Sequence, residues 1–102
     1  MPFIIETFDK PGHQAVRQAH RPAHLDFLDT HKHLLLACGA KLADDGSDLG
    51  GGLYVVELDT REAAQSFIES DPFFQAGLFE RVSITRWRKA YVAGTSHLPA
   101  AA

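Results

Sequence analysis

His24, in the run Arg21-Pro22-Ala23-His24-Leu25, and Asp71, in Asp71-Pro72-Phe73, are side chains whose types could together move a proton. Proline is favoured in the first turn of a helix, where its missing N–H would have no partner anyway. Pro22 therefore predicts a helix starting there, with His24 at a fixed place near its beginning. An aspartate that reaches the ring fixes its tautomer and stabilises the imidazolium, which makes the histidine a usable acid or base. The residues alone leave a plainer role open for each group. His24 is otherwise a partly buried histidine beside Phe27 and Leu28, its ring satisfied by backbone. Asp71 before Pro72 is otherwise the N-cap of a short turn over residues 72–77. A capping carboxylate still keeps a second oxygen for the ring.

Arg17 and Arg21, four apart, flank this histidine. They are either solvated or an anion clamp for a carboxylate-bearing substrate. Six histidines in the chain raise metal binding as a third, weaker class, through His20, His24 and His31. His20 and His24 have the spacing of a metal pair on a continuous helix. The residue before a proline avoids the α region, however, so Pro22 is expected to break that spacing. His31 and His33 point in different directions on a helix, and His97 lies in the tail. Gly50-Gly51-Gly52 enters a strand and is followed by no Lys-Ser/Thr, so it is not a phosphate loop.

The elements that must position these groups follow from patterning. Residues 3–8 are rich in β-formers and predict a first strand, broken by Asp9-Lys10-Pro11-Gly12. Residues 13–20 read as either a short helix or an ordered loop. A helix from Pro22 to about Lys32 puts His24, Phe27, Leu28 and His31 on one side. Residues 34–38 predict a second strand closed by Gly39, and residues 44–48 a turn. A third strand covers residues 53–58. Asp59 with Glu62 resembles a capping box for a second helix, whose stripe is Ala63, Ala64, Phe67 and Ile68. That helix ends at Ser70 or Asp71, before Pro72. An extra turn over 73–78 precedes a fourth strand, Arg81 to Arg88, and the tail from about Gly94 has no periodicity. The order βαββαβ fits an α+β, ferredoxin-like antiparallel sheet with both helices on one face. Neither side of that sheet is plainly polar, which predicts a homodimer packed sheet to sheet.

A chain of 102 residues is one domain with room for a real core. Its composition, 45% hydrophobic and 23% charged, is that of an ordinary soluble protein. A net charge of −3 argues against nucleic acid as a partner. The single cysteine, Cys38, excludes an intramolecular disulfide and fits the cytoplasm. No apolar run approaches the roughly 20 residues that span a bilayer, so no membrane partner is expected.

The sequence resembles the YCII (YciI-like) family. The resemblance is carried by Arg17, Arg21-Pro22-Ala23-His24-Leu25, Leu35-Leu36 leading to Gly39, Glu62-Ala63-Ala64, Asp71-Pro72-Phe73, Ala76-Gly77-Leu78 and Trp87-Arg88-Lys89. It covers roughly residues 2–90, within a domain bounded at 1–93 and followed by a loose tail, 94–102. The resemblance implies a ferredoxin-like fold that dimerises in the dimeric α/β-barrel manner, with a His–Asp dyad in a cleft, here His24 and Asp71. Members with known chemistry resemble lyases or isomerases that act on small ring-cleavage intermediates without a cofactor. Two departures stand out: Gly39-Ala40 where Gly-Pro is common, and a short loop from Leu42 to Gly52. The expectation is cofactor-independent acid–base chemistry on a small carbonyl or carboxylate compound. His24 would transfer the proton, Asp71 would orient it, and Arg17 or Arg21 would hold the substrate's negative group. The alternative is a non-catalytic dimeric module that binds a small anionic ligand in the same cleft.

Overall fold

The computed structural model describes residues 1–100. Strand β1, Phe3–Asp9, runs through the middle of the sheet, and its side chains alternate. Phe3, Ile5 and Thr7 are buried on one face, while Ile4, Glu6 and Phe8 point to the other. β1 pairs antiparallel with β3, Asp48–Val56, on one side and with β4, Phe79–Arg86, on the other. β2, Leu35–Leu42, pairs antiparallel with β3 and closes the order β2-β3-β1-β4. The helices are α1, Gln14–Thr30, α2, Arg61–Glu69, and the one-turn α3, Pro72–Gln75. The architecture is the expected α+β, ferredoxin-like one.

The core forms where the α2 stripe meets the inner sheet face: Ala64, Phe67 and Ile68 against Phe3, Ile5, Tyr54 and Val56. Val82 and Ile84 join it from β4, opposite Thr7 and Ile5 in register. α1 contributes only partly buried Phe27 and Leu28. The helix therefore stands off the sheet along part of its length, and that gap becomes a cavity.

Several boundaries differ from the sequence expectations. α1 does not start at Pro22; it runs unbroken from Gln14, with Pro22 in its interior. The segment 14–21 is built of good helix formers, and Gly12, at φ +72°, turns the chain into it. Pro22 is exposed, so the hydrogen bond it cannot donate to the Gln18 carbonyl is lost on the water side, where that carbonyl stays solvated. The expected break between His20 and His24 is absent. β2 passes through Gly39 to Leu42, and β3 takes in the three glycines, ending at Val56 rather than residue 58. Gly51, at φ +140°, lies where any Cβ would run into the Thr7 carbonyl. α2 is capped by Thr60, whose hydroxyl accepts from the Ala63 N–H at 3.1 Å, and not by Asp59. β4 begins and ends two residues earlier than expected. In the tail, Tyr91–Val92 and Thr95–Ser96 pair as a small hairpin, β5 and β6, around Ala93-Gly94. Ala101 and Ala102 lie outside the described residues.

Candidate active site

A continuous α1 changes the address of the chemistry. Seven residues are close to two helical turns, so Arg17, Arg21, His24 and Leu28 share one face. That face looks across the gap onto Cys38 of β2 and Gly52 and Tyr54 of β3, and Phe73 of α3 closes the end. The enclosed cavity is about 220 Å³. Gly52 matters here, because a side chain at this position would fill the space beside Tyr54 and press on the Gly39 carbonyl.

Asp71 caps α3, as the Asp-Pro pair predicts: its Oδ1 accepts from the Phe73 N–H at 2.9 Å. The cap is also the partner of the histidine. The His24 Nδ1 lies 2.9 Å from both Asp71 oxygens, bridging 47 residues of sequence. A carboxylate is acceptor-only, so Nδ1 is the donor and the unprotonated nitrogen of a neutral ring is Nε2. Asp71 is fully buried and the His24 side chain 12% exposed. The ring stacks on Phe73, with centroids 4.0 Å apart and planes 15° from parallel. Tyr54 completes the arrangement by donating its hydroxyl to Asp71 Oδ2 at 2.7 Å. Burial first, and then the Asp71 charge, push the Tyr54 phenol well above the usual tyrosine range, so it stays a neutral donor.

The two arginines separate in role. Arg17 is committed to Asp9 through a bidentate pair, Nε–Oδ2 2.7 Å and Nη2–Oδ1 3.1 Å, and its guanidinium lies 4.6 Å from the Phe73 ring centre. Burial pulls its pKa down, but Asp9 more than offsets that and holds it raised. Arg21 lines the same cavity and forms no ion pair among the described residues. Cys38 is exposed along the edge strand, yet burial and the Asp71 charge push its thiol up to about 11.

Three of the four predicted site residues line this one cavity, His24, Arg17 and Arg21, and Asp71 lies buried behind His24, bonded to its ring. His31 does not join them; its Nδ1 donates to the Phe27 carbonyl at 2.9 Å. Among the described residues no group of three or more His, Cys, Asp or Glu side chains is arranged to hold a metal ion. A larger cavity, about 310 Å³, lies on the far side of Arg17 against residues 9–14 and 48–50. Its histidine, His13, is tied to the Pro11 carbonyl at 2.9 Å and bonds to no carboxylate among the described residues. Sequence reasoning missed Tyr54. The residue falls inside the predicted third strand, 53–58, and no local spacing links it to residue 71.

The model of the YCII-related domain matches residues 1–88. The chain belongs to the YCII family. Its relatives include protein YciI of Escherichia coli O6:H1, 33% identical over 98 residues, which cover 89% of this chain and all of that one. YciI of Shigella flexneri matches to the same extent. Among solved structures, 5-chloro-2-hydroxyhydroquinone dehydrochlorinase from Burkholderia phenoliruptrix, in complex with 2,5-dihydroxybenzoquinone, superposes with a TM-score of 0.79. It is 34% identical, covering 86% of this chain and 94% of that one. A monooxygenase-type protein from a Bacteroides species (TM-score 0.55, 11% identical) shares the fold alone. No helix of this YCII-family chain is long and apolar enough to cross a membrane.

Proposed function

We propose that this YCII-family protein is a cofactor-independent enzyme that moves a proton on a small carbonyl or carboxylate compound, in a lyase- or isomerase-type reaction. The observation that carries the reading is the His24 Nδ1–Asp71 bond at the wall of a cavity of about 220 Å³. Nε2 of His24 takes or gives the proton, Asp71 holds the tautomer and stabilises the imidazolium, and Arg21 receives the negative group. Arg17, neutralised by Asp9, serves as wall. The likeness to a dehydrochlorinase bound to a dihydroxybenzoquinone supports a substrate of that size with an acidic C–H or O–H. Acid–base catalysis of this kind contributes about 10²–10⁴ in rate. The test screens small cyclic and open-chain carbonyl acids for turnover and repeats the best with His24→Ala and Asp71→Asn. Unchanged turnover by both folded variants sinks the proposal, and binding that survives His24→Ala without any turnover favours a ligand-binding module instead.

The same reading takes residues 1–93 as the working domain of a cytoplasmic homodimer. On the outer sheet face Ile4, Phe8, Leu53 and Val55 lie together, and Leu53 is 40% exposed. Light scattering is expected to return twice the monomer mass, and Leu53→Lys with Val55→Glu to return the monomer. A wild-type chain that is monomeric at micromolar concentration refutes the dimer.

A further inference from the structure

We propose that Tyr54 is a positioning residue for the proton-transfer pair: its hydroxyl draws on the Asp71 carboxylate and so sets how strongly that carboxylate holds the His24 ring. The inference rests on the acid–base reading above and goes beyond it by giving a function to a buried phenol that the proton transfer itself does not use.

Three donors from three elements converge on Asp71: the His24 ring from α1, the Phe73 N–H from α3 and the Tyr54 hydroxyl from β3. They do not share the oxygens alike. Oδ1 is divided between Phe73 and His24, and Oδ2 between Tyr54, at 2.7 Å, and His24, at 2.9 Å. Each hydrogen bond to a carboxylate spreads its charge and leaves less for the next donor. The other charged or titratable groups around the pair are Arg17 and Arg21 from α1, Asp9 from β1 and Cys38 from β2. None of them hydrogen-bonds to Asp71. Tyr54 is 2% exposed and anchored by its place in β3, opposite Ile5 and Cys38. It therefore pulls on Asp71 from a fixed direction, while its ring edge meets the His24 ring at a centroid distance of 6.2 Å.

The proposal predicts a sign. Removing the hydroxyl concentrates charge on Asp71, tightens its hold on the imidazolium and raises the His24 titration midpoint. Strengthening the hydroxyl as a donor lowers it. The experiment is a ¹⁵N-detected NMR titration of the His24 ring in the intact protein, as wild type, Tyr54→Phe, Asp71→Asn and a 3-fluorotyrosine-substituted form. The chain has only two tyrosines, and the other, Tyr91, is 60% exposed in the tail hairpin, so global substitution reports on position 54. Expected are an upward shift of roughly 0.5–1 unit in Tyr54→Phe and a downward shift on fluorination. Loosening of the site by a merely structural loss shifts Tyr54→Phe downward, toward Asp71→Asn, and overturns the proposal. No movement beyond about 0.1 unit in Tyr54→Phe and the fluorinated form, with a fall in Asp71→Asn, overturns it too and leaves the His24–Asp71 pair standing. No movement even in Asp71→Asn overturns both. If Tyr54→Phe does not fold, the fluorinated form, which keeps the shape, decides alone.

Discussion

Replacing Asp71 separates its structural and chemical duties, because alanine and asparagine remove different things. Asp71→Ala deletes the cap on the Phe73 N–H, worth about 1 kcal/mol. It also strands two donors in a fully buried place, the Tyr54 hydroxyl and the His24 Nδ1–H. A buried donor without its acceptor costs about 1–3 kcal/mol, although His24 recovers part of this by turning toward the cavity. The sum is a loss of about 3–5 kcal/mol, a large share of the 5–15 kcal/mol typical of a folded domain. For a domain of this size that is a fall of roughly 15–30 °C in Tm. Asp71→Asn keeps the shape and the oxygen that caps Phe73. Its amide then faces one of the other two partners, the Tyr54 hydroxyl reorienting to accept or the imidazole moving its proton to Nε2. It should cost only about 1–2 kcal/mol. Urea and thermal unfolding of the three proteins at pH 7 give the numbers. A loss below about 1 kcal/mol for Asp71→Ala would mean that only the cap matters. That result refutes the claim that the carboxylate organises Tyr54 and His24.

Four further outcomes follow from the same geometry. Arg17→Met leaves the Asp9 carboxylate, only 9% exposed, without its bidentate partner and should cost about 3 kcal/mol, whereas Arg21→Met should stay within about 0.5 kcal/mol yet weaken binding of an anionic ligand; equal stability losses in urea unfolding would contradict this division. Gly51→Ala, where the Cβ has no room beside the Thr7 carbonyl and φ is +140°, should lose more than about 2 kcal/mol, while Gly39→Ala, with open space around it, should be close to neutral. A thiol pushed from 9.0 to about 11 makes Cys38 alkylate at pH 8 about 100-fold more slowly than an unstructured peptide thiol, and a rate equal to the peptide's is the contrary result. The raised Tyr54 value gives stability that is complete below the ordinary tyrosine range near pH 10 and is lost as pH climbs above it, so Tyr54→Phe should flatten the alkaline fall in Tm.

The fold was legible because periodicity reports burial. The alternation in residues 3–8 and the stripe Ala64, Phe67, Ile68 are the same residues that meet in the core. Asp71 was legible as a cap because capping is local chemistry, decided within three residues. Its second bond was not legible in that way: 47 residues separate it from His24, and only the fold sets that distance. Tyr54 was invisible for a sharper reason. In a strand its alternation marks it as inward-facing, and nothing in the alternation tells whether its hydroxyl finds a partner. The glycines 50–52 failed in the opposite sense, since composition marks them as loop while the close approach of β1 makes them strand.

Pro22 is the most instructive miss, because the rule behind it is correct and the competing term is stronger. A proline costs about 3 kcal/mol inside a helix, which favours starting the helix at that residue. Starting there would release residues 14–21 and with them the Asp9–Arg17 pair and the Arg17–Phe73 contact. It would also cost the regular two-turn spacing that sets Arg17 and His24 on one face of α1, both in contact with the Phe73 ring. The helix therefore continues, with the unmade hydrogen bond turned to water. A chain that keeps proline within this helix tolerates a local defect on the solvent side while the opposite side holds the only described histidine with a buried carboxylate behind it. Pro22→Ala separates the two sides: it should stabilise the helix and leave the His24–Asp71 bond and the His24 titration unchanged. A shift of the ring's titration would show instead that the proline helps to aim it.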